Sequence, residues 1–510
     1  MRHAGIYRFG PFTLDAGAYR LLRDDQVVNL TPKGIDLLLC LVARPSTLIT
    51  KEELFQLLWP DVTVTENALT QTISDVRQAL GDRAASPSYI QTVARRGYRF
   101  VAPVTVGGGE IPLAAVTAAV VSPQYAGRLR RSHETTSLEA YRAFTEGRLR
   151  LETLDATAAS DAVRDFERAI AVDPEYSLAY VGLANAHFWI YEASRDRLRP
   201  DTGAQLAAIS YAQRAAEIDP ELAEAHATLS YVLVSAARSV DALASARRAV
   251  TLEPGYWGHY FRLGHASWGS DRLQALARAL ELYPDFPYAH FQAAMVHIAR
   301  GAFDEAEGAL RSGVVIQDRQ AGRRERFPAR GLHWLLGMTS LARGSRDAAI
   351  AEFDREIAAT GVQLYSQEYL VASYLGRGFA LLESDAAAAL ECFDTALAIA
   401  PDHPRIRLAR GVALERLGDH AGAAKEKDTA RASIETLRAA GRSSEAALVA
   451  AFQAAVQGDA DAAIASLRLL LEEAAPVHLG WSVPLEPWLR PLGRDPRFLK
   501  LLERLAQRAR

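Results

Sequence analysis

The sequence predicts a multidomain chain with two parts of different class: a small α+β domain at the N-terminus and a long all-α region of paired helices behind it. Three observations predict this. Residues 6–30 alternate apolar and polar in short runs, whereas apolar residues between Thr31 and Leu80 recur at helical spacing. A stretch of β-forming residues from Tyr89 to Phe100 then flanks a tight turn at Ala94-Arg95-Arg96-Gly97. Beyond Ser137 the chain becomes alanine-rich, and its small residues return at fixed offsets that end in proline, the mark of stacked helix pairs. At 510 residues, two to four domains are expected.

The elements follow in order. Short strands are predicted at 6–9, 12–14, 19–22 and 27–30, with turns at Gly10-Pro11 and Arg23-Asp24-Asp25. Thr31 as N-cap and Pro32 at the first helical position open a helix carrying Ile35, Leu38, Leu39 and Val42 inward. Thr50 and Glu53 have capping-box spacing ahead of Leu54, Leu57 and Leu58. Thr63 and Glu66 repeat that spacing, and Gly81 stops the third helix. Leu69, Ile73, Val76 and Leu80 give this helix a core face. Asn67, Thr70, Gln71, Ser74 and Gln78 fill the opposite face with amides and hydroxyls, the groups that read base edges in a major groove. Arg95 and Arg96 at the hairpin tip suit phosphate or a narrow minor groove. The order ββββ-α-α-α-ββ is a winged-helix plan with an N-terminal sheet.

The motifs L30-T-P-K-G-I-D-L-L, L48-I-T-K-E-E-L, L57-L-W, E66-N-A-L-T-Q-T-I-S-D-V-R-Q-A-L-G-D and Y89-I-Q-T-V-A-R-R-G-Y-R-F stand in one order and spacing. On them, the segment from about Ile6 to Val104 resembles the OmpR/PhoB-type winged-helix DNA-binding domain, especially the CadC/ToxR-like transcription activators. The resemblance implies that the third helix enters the major groove and the wing meets the neighbouring minor groove. It also implies DNA contacts from Trp59, Asn67, Thr72, Ser74, Arg77, Thr92 and Tyr98, beside the candidates Thr70, Gln71, Asp75, Arg95 and Arg96 already on the helix and wing. Trp59 reads alternatively as a core-edge aromatic, and Arg77 as a brace. Asp75 stands where the family often has Arg or Lys, and Ala94 where response regulators often place a minor-groove Arg. Double-stranded DNA and RNA polymerase are the implied partners. No receiver-like segment precedes Ile6 in this sequence, so an output domain like those of phosphorelays, without a receiver, is expected.

Domain boundaries are expected at 1–104 for the winged helix, 105–136 for a linker, 137–484 for the repeats and 485–510 for a capping segment. The linker carries Gly107-Gly108-Gly109 and a basic cluster at Arg128, Arg130, Arg131 and His133, and its apolar piece 111–121 reads as a docking strand. In the repeats, Ala162-x3-Phe166-x2-Ala169-x4-Pro174 returns as Ala389, Phe393, Ala396 and Pro401. Small-residue variants appear at Ala208, Ala212, Ala215, Pro220 and at Ala242, Ala246, Ala249, Pro254. This pattern resembles the tetratricopeptide (TPR) repeat and implies an all-α superhelical solenoid of eight or nine repeats that binds a protein, peptide or small-molecule effector, or assembles a homodimer.

Net charge is −3, and residues 1–104 hold twelve Lys+Arg against ten Asp+Glu, so any basic footprint is local. Cys40 and Cys392 are expected as reduced thiols. No signal peptide and no apolar run of membrane-spanning length is present, which leads to a cytoplasmic assignment with no membrane partner. Neither a P-loop, a His-Glu-x2-His motif, a Cys-x2-Cys pair nor a Gly-x-Ser-x-Gly elbow occurs. No enzyme, cofactor or metal site is therefore expected. The leading reading is a sequence-specific transcriptional regulator. The alternative is a TPR interaction scaffold whose winged helix binds protein.

Overall fold

The structure is a computed structural model and describes residues 6–16, 20–24, 26–28, 30, 32–58, 66–83, 87–93, 96–107, 135–151, 156–195, 197–322, 329–359, 365–473 and 480–510. The early alternation becomes an antiparallel meander of β1 (Ile6–Phe9), β2 (Phe12–Asp15), β3 (Arg20–Arg23) and β4 (Gln26–Val28). Helices α1 (Pro32–Val42), α2 (Lys51–Leu58) and α3 (Glu66–Leu80) follow, then the hairpin β6 (Ile90–Val93) and β7 (Gly97–Phe100). Two further strands go beyond the sequence pattern. β5 (Leu48–Thr50) pairs with β7, opposing Ile49 to Tyr98. β8 (Thr105–Gly107) pairs with β1, opposing Tyr7 to Val106. Residues 105–107 thus lie in the sheet rather than the linker to which their glycine content assigned them. An edge left open on β1 would present unpaired backbone groups, and β8 satisfies them. The sheets run β4-β3-β2-β1-β8 and β5-β7-β6. The docking strand expected at 111–121 and the basic cluster at 128–133 lie outside the described residues.

One core holds this domain together. Phe9, Phe12 and Leu14 meet Leu37, Leu38 and Leu41 of α1, Leu54 and Leu58 of α2, Leu69, Ile73 and Val76 of α3, and Phe100 of β7, all nearly free of solvent. The Phe9 and Phe100 rings sit edge to face at 5.1 Å, and Tyr89 meets Phe12 edge-on at 5.5 Å, the geometry aromatic quadrupoles prefer.

Among the described residues, nine helix pairs succeed one another in the remaining chain: α4 (Leu138–Leu151) with α5 (Ala156–Val172), α6 (Ser177–Glu192) with α7 (Thr202–Ile218), and α8 (Ala223–Ser235) with α9 (Ser239–Leu252). Then come α10 (Trp257–Ala266) with α11 (Gly269–Leu282), α12 (Pro287–Ala299) with α13 (Phe303–Gly322), and α14 (Leu332–Ala342) with α15 (Arg346–Ala358). The last are α16 (Ser366–Leu381) with α17 (Ala386–Ile399), α18 (Pro404–Arg416) with α19 (His420–Ala439), and α20 (Ser443–Val456) with α21 (Ala460–Arg468). Helices α5, α7, α9 and α17 each stop two residues before the prolines that mark the sequence repeat, because proline cannot continue the hydrogen-bond ladder. Small residues sit where ring meets helix. Cβ atoms added at Gly337 and Gly376 would lie 2.7 and 2.5 Å from the Phe353 ring. Phe353 itself is fully buried.

The described residues form two compact units, the second comprising those that lie within 153–160, 184–213 and 223–510. Inside that second unit His333 on α14 lies between two carboxylates, with Nδ1 2.6 Å from Glu352 and Nε2 2.9 Å from Asp318. Burial alone would pull its pKa down. The hydrogen bonds to Glu352 and Asp318 outweigh burial and hold it above the ordinary value. At the chain's end, α22 (Pro496–Arg508) packs Phe498, Leu501 and Leu505 into one cluster with Phe452, Ile464 and Leu467 of the last pair and with Val296 and Ala299 of α12. Among the described residues, no helix is long and apolar enough to cross a membrane.

Candidate nucleic-acid interface

Helix α3 takes its orientation from its apolar stripe. Leu69, Ile73, Val76 and Leu80 are buried, which turns Thr70, Ser74 and Gln78 outward, all three exposed, with Asp75 half-buried beside them. One carboxylate and one guanidinium then fix the wing against this helix. Asp82, one residue past the Gly81 stop, accepts hydrogen bonds from the backbone N–H groups of Ser88 at 2.6 Å and Ile90 at 2.7 Å. Arg77 donates to the Ile90 carbonyl at 2.7 Å and to the Thr92 hydroxyl at 2.8 Å. Charge-assisted bonds of this length are the strong kind, and together they couple helix and hairpin into one body.

The hairpin depends on a glycine. A Cβ added at Gly97 would lie 2.0 Å from the Ile49 carbonyl oxygen, so only glycine lets β7 pass beside β5. The Arg96 carbonyl accepts from the Lys51 N–H at 3.1 Å, which ties the wing tip to the start of α2 and leaves the Arg96 side chain exposed. At the other end of α2, the Lys33 ammonium donates to the Leu58 carbonyl at 2.5 Å and caps the helix C-terminus.

The structure therefore brings Thr70, Ser74, Asp75, Thr92 and Arg96 together along α3 and the wing. Two of the expected contact residues are largely buried. Thr72 is 8 % exposed, three residues after Leu69 and so beside the core stripe, and Tyr98 is 5 % exposed with its ring in the core. Arg77 acts as the brace. The side chains of Asn67 and Gln71 and the residues Trp59, Ala94 and Arg95 lie outside what the structure describes. Sequence reasoning missed Asp82 and Lys33 as positioning groups. A Gly-Asp pair at a helix end was the available signal for the first, and for the second there was none. Among the described residues, no group of three His, Cys, Asp or Glu is arranged to hold a metal ion.

This geometry is that of a winged helix of the DNA-binding type, joined to helical repeats. Residues 25–100 match the family model described as "Transcriptional regulatory protein, C terminal", and residues 383–429 match the tetratricopeptide repeat model. The N-terminal region is an OmpR/PhoB-type winged-helix domain, and the helical region is of the TPR class. Over 100 residues the chain is 32 % identical to the "Transcriptional activator CadC" of Escherichia coli (strain K12), covering 19 % of this chain and 20 % of that protein. Over 98 residues it is 34 % identical to the "Cholera toxin homolog transcriptional activator" of Vibrio parahaemolyticus, covering 18 % of this chain and 34 % of that one. The matches thus span about a third or less of these relatives' own lengths. A tetratricopeptide repeat protein from Parabacteroides merdae aligns over 55 % of this chain and all of its own, at 12 % identity and a TM-score of 0.39.

Proposed function

We propose that this chain is a sequence-specific DNA-binding regulator of transcription whose repeats carry the regulatory input. One observation carries the DNA reading: α3 presents Thr70, Ser74 and Gln78 outward and is braced by Arg77 and Asp82 to a wing whose Arg96 is exposed. A rigid helix with hydroxyls and amides on its open face suits a major groove, and a cationic wing tip suits the phosphates beside it. Transcriptional activators share this segment, which supports the same role here and points to RNA polymerase as a further partner. A DNA-reading chain works beside the chromosome, hence the cytoplasm.

The repeats are read as the docking surface for a protein, peptide or small-molecule effector, since stacked helix pairs build extended surfaces and not reaction centres. Dimerisation through the repeats is the second use. The acidic Asp75 on the open face and the small net charge of +2 over residues 1–104 favour one competing reading, a winged helix that docks protein.

DNA binding by the full chain at two salt concentrations tests the proposal. Replacing Arg95 and Arg96 by alanine should weaken binding to every sequence and reduce the salt slope by about 1 for each phosphate that is no longer neutralised. Replacing Asn67 or Gln71 should cost about 1–3 kcal/mol at the preferred site and less elsewhere. If both sets bind as the parent does, the groove and wing assignment is wrong.

A further inference from the structure

Between α6 and α7 the chain makes a short excursion, described at residues 193–195 and 197–201, that no repeat pattern calls for. It is internally stapled: the Ser194 hydroxyl donates to the Tyr191 carbonyl and accepts from the Asp201 N–H, both at 2.8 Å. It then reaches helices far away in sequence. Arg195 forms a two-pronged pair with Glu368 of α16, at 2.8 and 2.7 Å, and its third contact is Glu192 at 2.9 Å. Its guanidinium lies 5.2 Å from the centre of the Tyr365 ring, and the Tyr365 hydroxyl donates to Glu192 at 2.8 Å. Tyr365 holds a backbone φ of +71°, a left-handed conformation that a side chain of its bulk rarely adopts. Three residues on from Arg195, Leu198 packs against Ile434 and Leu437 of α19 and Ala446 and Val449 of α20. Arg442 closes the arrangement by donating to the Arg197 carbonyl at 2.5 Å and the Arg195 carbonyl at 3.0 Å.

The excursion thus behaves as a bound ligand that happens to be covalently attached. It offers an arginine to a paired carboxylate and aromatic seat, a leucine to an apolar seat, and two carbonyls to an arginine. We propose that residues 193–201 are an autoinhibitory strap, an internal occupant of a docking surface made by α16, α19 and α20. The partner that displaces it is a peptide segment carrying arginine and leucine at the same Arg-x-x-Leu spacing. This rests on the reading of the repeats as the input-binding region, and it names the chemistry of that input. Paired charges with fork geometry give such a seat its specificity for arginine over lysine, and the attached strap competes through its high effective concentration.

The test uses the full chain and the strap's own sequence as probe. Hydrogen exchange is followed over residues 193–201 in the parent, in Arg195→Ala and in Arg442→Ala. A labelled peptide copying residues 190–201 is titrated onto each, beside the same peptide with its Arg195 and Leu198 counterparts changed to alanine. The strap should exchange at least tenfold faster in both variants. The peptide should bind the Arg195→Ala chain at least tenfold more tightly than the parent, and the alanine peptide should bind neither. Arg442→Ala guards against a local folding defect of the α6 end, since it frees the strap from the other side. Unchanged strap exchange in both variants, or equal binding of the two peptides, overturns the proposal. No DNA enters either measurement, so its outcome is separate from that of the groove and wing assignment.

Discussion

The winged helix and the second, repeat-built unit exclude water by opposite means. In the winged helix, large side chains from strands and helices far apart in the sequence converge on one core, with Phe9, Phe12, Leu37, Leu54, Ile73 and Phe100 in a single cluster. In the repeats, alanine and glycine let backbones approach, and one phenylalanine fills what remains at an interface, as Phe353 does over Gly337 and Gly376. The first arrangement makes every element depend on all the others. The second distributes stability mainly between neighbouring pairs, so a defect at an interface away from residues 193–201 and α22 should stay near where it is made.

The most forceful way to break this contrast is to empty one repeat interface. Phe353→Ala should cost about 3–5 kcal/mol, as for a fully buried aromatic. Hydrogen exchange should show the weakening in α14, α15 and α16 while residues 6–107 keep their protection. Faster exchange in the winged helix as well would show that the two regions are not independent in this sense.

A smaller effect is expected at the winged helix, where one polar side chain substitutes for packing. Asp82→Ala leaves the Ser88 and Ile90 N–H groups without their acceptor and should destabilise by about 1–3 kcal/mol in a denaturant titration. Because this core is shared, the wing and α3 should lose protection together. A change confined to residues 82–90 would mean the domain is less cooperative than its core suggests.

The smallest effect concerns the His333 clamp. Its folded pKa is raised, so its contribution is complete below the unfolded value of about 6.5 and disappears as pH rises through the folded pKa. Glu352 runs the other way. Burial opposes its charged form, but His333 and Arg355 hold its pKa low, so its contribution is lost only as pH falls through that lowered value. His333→Gln should therefore cost most near about pH 5–6, and the gap to the parent should narrow towards about pH 8. Thermal melts of both proteins across that range check the sign. A gap that widens with pH would exclude the imidazolium clamp.

How much of this was legible in the sequence follows the same division. The stripe of α3 and the recurring Ala-x3-Phe pattern were readable because helical period alone decides which face is buried. Thr72 shows where two signals diverge: its spacing from Leu69 puts it beside the core, as its 8 % exposure reflects, while the resemblance implies a contact with DNA. β5 and β8 escaped because three residues carry no periodicity, and their partners lie about 50 and 100 residues away. The strap was unreadable for a stronger reason. Its partners, Glu368 and Arg442, stand 173 and 247 residues from the residues they hold, and no local pattern encodes such a meeting.

The place of α22 has a consequence for the order in which the chain acquires its structure. The Arg300 guanidinium donates to the Ala509 carbonyl at 2.8 Å, and the Ser270 N–H to the Arg510 carbonyl at 3.0 Å, so the middle pairs α10–α11 and α12–α13 are completed by residues some two hundred positions later. Protein synthesis proceeds at about 5–20 residues per second. Val296 and Ala299 therefore wait roughly 10–40 s on the ribosome before the helix that covers them exists, long enough for a chaperone to bind there first.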